Sequence, residues 1–140
     1  MGRRQGREAA LKTLFQVELG GAEPKQALQA TCEQEAIAAA DVAFARELTE
    51  GVLGELAELD QVLGRFSTDW SVERMAILDK VILRLACYEL LFRPDIPVAV
   101  SINEAVELAK RFSTPEAARF INGVLSAVAR ERLAMDGRGQ

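Results

Sequence analysis

Three arginines, Arg3, Arg4 and Arg7, stand among the first seven residues of a 140-residue chain. Guanidinium groups are permanently charged forks of N–H donors that match the oxygens of phosphate esters. At the start of a helix they meet the positive end of its dipole and its free amide groups, so phosphate contact is one reading. A solubilising N-terminus is the other, and charge alone leaves both open. Lys12 follows, with Glu8 the one acid in the first twelve residues. Residues 18 to 60 reverse the sign, carrying ten Asp or Glu against Lys25 and Arg46. The net charge of -4 therefore hides a basic end on an acidic body. Such a balance argues against a protein coated in nucleic acid, while a local patch can bind a short segment.

Little else in the chain is equipped for chemistry. There is no histidine, and Cys32 and Cys87 are the only cysteines. Imidazole bases and ligands are thus absent, and two distant thiols do not make a zinc site. Cys87 lies in an apolar run and reads as a small core residue. Cys32 lies near Glu33 and Glu35, whose charges disfavour a thiolate. No glycine-rich phosphate loop, metal-ligand spacing or nucleophile elbow is present. No catalytic residue, metal or cofactor is expected, and the chain is not read as an enzyme. Asn103 and Asn122 sit in apolar-periodic helices, where capping or a bond between helices is the first reading and recognition the second. Gly123 reads as a point of close helix packing.

The elements that must position these residues are helices. Apolar residues make up 49% of the chain, enough for a real core, and aromatics and prolines are few. The organising stretch is Ile77 to Phe112, two helices joined by a short stiff turn. Leu78 to Phe92 is apolar except at Asp79, Lys80, Arg84 and Glu89, the pattern of a central core helix too short to span a bilayer. Arg93-Pro94 stops it. Ser101-Ile-Asn-Glu104 reads as a capping box that starts the next helix. Thr114 and Pro115 open the last one as cap and first helical residue.

Towards the N-terminus, residues 3 to 19 form the first helix, apolar through Ala10, Leu11, Leu14, Phe15 and Val17, and ended by Gly20-Gly21. Its stripe changes from basic to apolar, which predicts first turns that extend past the core. Gly6 weakens that segment by about 1 kcal/mol relative to alanine, so it is expected to fray when free. Pro24 starts a thin peripheral helix running through Leu28 and Cys32. Asp41 caps a third, long helix whose apolar face runs from Phe44 through Leu48, Val52, Leu56, Leu59 and Leu63 to Phe66. Gly51 and Gly54 cost it stability unless another helix approaches closely. Trp70 reads as an anchor between halves, after which a short helical turn precedes the central helix. No apolar run is long enough to cross a membrane, and the basic N-terminus lacks the apolar stretch of a signal peptide. A cytoplasmic protein is expected. The polar, glycine-rich residues 134–140 read as a disordered tail.

The chain resembles the NusB family of transcription antitermination factors over nearly its whole length. The most specific portion is Asp79-Lys-Val-Ile-Leu-Arg-Leu-Ala-Cys-Tyr-Glu-Leu-Leu91 followed by Asp95-Ile-Pro97. Ile102-Asn-Glu-Ala-Val-Glu-Leu-Ala-Lys110 and Phe120-Ile-Asn-Gly-Val-Leu125 continue it. Arg3-Arg4-x-x-Arg7-Glu8-Ala9, Phe44-x-Arg46-x-Leu48-x-x-Gly51, Asp60 and Trp70 add weaker support.

The resemblance implies an all-α NusB-like bundle of about six or seven helices in two subdomains, near residues 3–66 and 70–133. It implies a non-enzymatic factor that binds boxA RNA of nascent ribosomal RNA jointly with the ribosomal protein NusE. That pair supports an antitermination complex on RNA polymerase, and the factor is a monomer or homodimer. By position, Arg3, Arg4 and Arg7 match the family's RNA-binding segment, here interrupted by Gln5 and Gly6. Glu116, Arg119 and Phe120 fall where the family approaches RNA. Phe15, where many relatives have tyrosine, and Asp79 match positions near NusE, and Lys80 joins Asp79 as a partner-surface candidate. Two alternatives stand beside this: an accessory RNA-binding domain of an RNA cytosine methyltransferase, and a protein-binding helical scaffold without RNA.

Overall fold

In the computed structural model the described residues are 3–67 and 71–135. They form seven α-helices and one short 3-10 turn: α1 (Arg3–Gly20), α2 (Pro24–Gln34), α3 (Ala39–Gly54), α4 (Leu56–Phe66), the turn Val72–Arg74, α5 (Ile77–Phe92), α6 (Val98–Phe112) and α7 (Pro115–Met135). No strand occurs among the described residues, and the expected all-α bundle is what the chain forms. Trp70 and residues 136–140 lie outside the described residues. Ala134 and Met135, expected in the tail, continue α7.

The chain divides between Gly54 and Glu55 into two compact units. In the first, α1 packs on α3 and on α2. Ala9, Ala10 and Ala45 are fully buried, and small residues let helix axes approach closely. Pro24 is the first residue of α2, as the sequence predicts, and Glu23, which the sequence reading did not name, caps it by accepting from the Gln26 N–H at 2.8 Å. Asp41 does not cap α3. The Asp41 and Val42 N–H groups donate to the Ala38 carbonyl, so the helix starts earlier and Asp41 lies buried in its first turn.

The second unit is built on α5, which packs against α4, α6 and α7. Val81, Ile82, Leu83 and Cys87 of α5 are essentially inaccessible, as are Leu59, Leu63, Ile121 and Leu125 around it. The helix expected from Asp41 to Phe66 is therefore two helices, broken at Glu55 and shared between units. Its apolar spacing runs through the break because α4 is itself amphipathic. Gly54, with nothing within 4 Å of where a Cβ would stand, has no close neighbour to offset its cost.

A second correction concerns α6. It begins at Val98, one turn before Ser101, with Pro97 in the cap position. Ser101 is buried and donates its hydroxyl to Glu89 Oε1 at 2.7 Å. Serine and glutamate three apart therefore mark no helix start here. Two other polar exceptions of α5 also bond to neighbouring segments. Arg84 forms a two-pronged pair with Asp60 of α4, both contacts 2.8 Å. Asp79 Oδ1 accepts from the Ser113 hydroxyl at 2.7 Å, tying the start of α5 to the end of α6.

Candidate nucleic-acid interface

The basic end of α1 is seated rather than projecting. Arg3 and Arg4 are exposed, but Gly6 is buried and Arg7 is only 5% exposed. Arg3 Cζ lies 4.8 Å from the centroid of the Phe44 ring and Arg7 Cζ 5.3 Å from it. A cation over an aromatic ring at such distances is held by the ring's negative face. Gly6 makes the approach possible. A Cβ there would stand 2.9 Å from the Asp41 carbonyl oxygen and 3.1 Å from Phe44 Cδ2. This overturns the expectation that the first turns extend past the core: the missing side chain that weakens the helix alone lets it dock on α3.

The charge order along α1 is also unusual. It has no acid in its first turn and no base in its last. Positive charge at a helix N-terminus opposes the dipole by about 0.3–1 kcal/mol per group, a cost that a bound anion relieves. Further along, Lys12 pairs with Glu35 just beyond α2, and Phe15 is half-buried.

In the second unit the start of α7 is pinned by Thr114. Its hydroxyl accepts from the Ala117 N–H at 3.0 Å and its carbonyl from the Ala118 N–H at 2.9 Å. Pro115 follows as the first helical residue, as read from the sequence. Glu116 and Arg119 are exposed and Phe120 is half-buried. One turn on, Asn122 and Gly123 are exposed on the same side, since residues three and four apart are neighbours on a helix. Open space surrounds the Cβ position of Gly123, so the expected close helix packing is absent there. Asn103 is exposed as well. Asp79 is half-buried with its bond to Ser113, and Lys80 is 9% exposed.

The thiols offer no chemistry. Burial, with Glu58 and Asp60 adding to it, pushes Cys87 up to about 12. Burial also raises Cys32, helped by Glu35 and opposed by Arg46. A cleft of about 690 Å³ opens between α2 and α3, with Leu28, Cys32, Val42 and Leu53 on its walls and Lys25 and Glu50 beside them. Among the described residues no three His, Cys, Asp or Glu side chains are grouped to hold a metal, and no helix is long and apolar enough to cross a membrane.

From the sequence, Phe44 is a member of an apolar stripe and of a family motif, with no site role assigned to it. The signal that could have found its second task is the i, i+4 spacing of Arg3 and Arg7, which lets one aromatic group serve both.

The model of the NusB family matches residues 4–130. The chain belongs to the NusB family. The transcription antitermination protein NusB of Desulforamulus reducens is 49% identical over 125 residues, covering 89% of this chain and 87% of that protein. The solved structure of T. maritima NusB superposes with a TM-score of 0.86 at 37% identity, covering 94% of this chain and 92% of the other. A crystal structure of the antitermination factors NusB and NusE in complex with dsRNA gives 0.85 at 25% identity, covering 92% and 96%. The relative from Desulforudis audaxviator, 45% identical over 131 residues and covering 94% of this chain and 95% of that protein, is likewise a transcription antitermination protein NusB.

Proposed function

We propose that this chain binds boxA RNA of nascent ribosomal RNA together with the ribosomal protein NusE. In doing so it supports assembly of an antitermination complex on RNA polymerase in the cytoplasm. The observation that carries the reading is the seated arginine end: Arg3 and Arg4 exposed at the N-terminus of α1, with Arg3 held on a buried ring. The solved NusB–NusE–dsRNA complex of a relative supports it.

Within this reading Arg3 and Arg4 meet phosphates directly. Arg7, with 5% of its surface accessible, contributes its charge and its stacking. Glu116, Arg119 and Phe120 on α7 supply a second RNA-facing surface, where a glutamate can accept hydrogen bonds from exposed base edges. Phe15 and Asp79 are the proposed NusE-facing positions. Lys80 joins them only at its accessible edge, because most of it is buried.

The test is a titration of boxA RNA, single-stranded and duplex, with and without NusE, beside a scrambled RNA. Arg3→Gln with Arg4→Gln is expected to weaken binding to boxA RNA. For single strands it should also remove about 1.4 from the negative slope of log K against log salt, at roughly 0.7 per phosphate contact. Equal affinity of the variant and the parent at moderate salt removes this surface from the interface.

A further inference from the structure

We propose that Phe44 is a positioning residue for RNA binding: its ring holds the Arg3 and Arg7 guanidiniums so that phosphates meet charge already in place. The inference rests on the RNA reading above and adds to it the residue that preorganises the site. Three observations and one physical argument converge. Arg3 and Arg7 lie 4.8 and 5.3 Å from one ring centroid. Phe44 is 6% exposed and sits in α3, so the ring is fixed by its own packing. Gly6, between the two arginines, has no side chain to press on the ring at 3.1 Å or the Asp41 carbonyl at 2.9 Å. Finally, like charges four residues apart on a helix repel, and the ring's negative face offsets that repulsion.

An arginine free in solvent loses rotamer freedom when it grips a phosphate, and that loss is subtracted from affinity. A guanidinium already lying on a ring has lost most of it beforehand. A leucine at position 44 would fill similar space without the negative face. The packing role and the positioning role of Phe44 are therefore separable by experiment.

The experiment replaces Phe44 with phenylalanine analogues bearing one, two and three ring fluorines. These keep the shape nearly constant while draining the negative face. Binding of the boxA single strand is measured across a salt series, with the thermal midpoint recorded for each protein. Arg3→Gln with Arg4→Gln runs alongside. The expected result is a stepwise fall in RNA affinity, about threefold to tenfold at three fluorines, from a contact of this class. The salt lines should stay parallel to the parent's, because the number of phosphate contacts is unchanged, whereas the arginine variant should flatten its line. A flat fluorine series with the arginine variant weakened overturns the positioning role and leaves the RNA reading standing. An arginine variant that binds as the parent does overturns both. Should three fluorines lower the midpoint, the singly fluorinated protein with an unchanged midpoint decides, and equal affinity there counts against the role.

Discussion

At Gly6 an added methyl group would stand 2.9 Å from a helix carbonyl oxygen, and Asp41, as part of the α3 backbone, cannot swing aside. Gly6→Ala gains about 1 kcal/mol of helix propensity but forces α1 off α3. With overpacking of a tight contact costing about 1–3 kcal/mol against that gain, a net loss of up to about 2 kcal/mol is expected; an unfolding titration in urea would register it. From sequence this glycine carries only its propensity cost, because the gain lies in a partner thirty-five positions on. Cys87 was legible, since an apolar run on both sides leaves a thiol no other place. Its folded value near 12, against an ordinary 9.0, keeps it protonated. Unfolding releases a proton from it between those two values. Its effect on stability is therefore constant below about pH 9 and unfavourable as pH rises from there towards 12. Native protein at pH 8 should leave Cys87 unalkylated by iodoacetamide, and denatured protein should not. The family resemblance makes Asp79 a partner-surface candidate; its bond to Ser113, thirty-four positions away, cannot be seen from the sequence.

The end of α2 illustrates how an element can close with the wrong residue. Ala36 has a φ of 51°, and the Ala36 and Ile37 N–H groups return to the Glu33 and Cys32 carbonyls at 3.2 Å. Ile37 packs on the cluster that includes Cys32 and Leu28. This is the Schellman arrangement, whose left-handed position favours glycine. Ala36→Gly should therefore stabilise the protein by about 1 kcal/mol, relief of left-handed strain outweighing the added freedom of the unfolded chain. A rise in the urea midpoint at constant slope would confirm it. Elements were the most legible level of this chain. Pro24, Thr114 with Pro115, and Arg93-Pro94 each end or begin a helix where the residue chemistry says they should. The α3–α4 break escaped because period alone cannot see an interruption that leaves apolar faces in step. The α6 start escaped because Ser101 met a buried carboxylate instead of a free amide.

For the molecule as a whole, the balance is acidic while the proposed ligand is a polyanion, so binding must be local and salt-sensitive. A ligand that binds only the folded chain adds stability by mass action. BoxA RNA at one hundred times its dissociation constant should add about 2.7 kcal/mol and lift the thermal midpoint by roughly 5–10 °C. The arginine variant should show a smaller lift at the same RNA concentration, and a midpoint that ignores RNA would mean no preference for the native state. The α5 surroundings carry one more consequence. A rod apolar nearly all round could settle among its neighbours in several rotations of similar energy. Turning it by a single residue would separate Arg84 from Asp60 and Glu89 from Ser101, leaving a buried guanidinium and carboxylate without these partners. Each such loss costs on the order of 1–3 kcal/mol or more, enough to empty the mis-turned states. Those polar pairs thus add less to the right fold than they remove from the wrong ones.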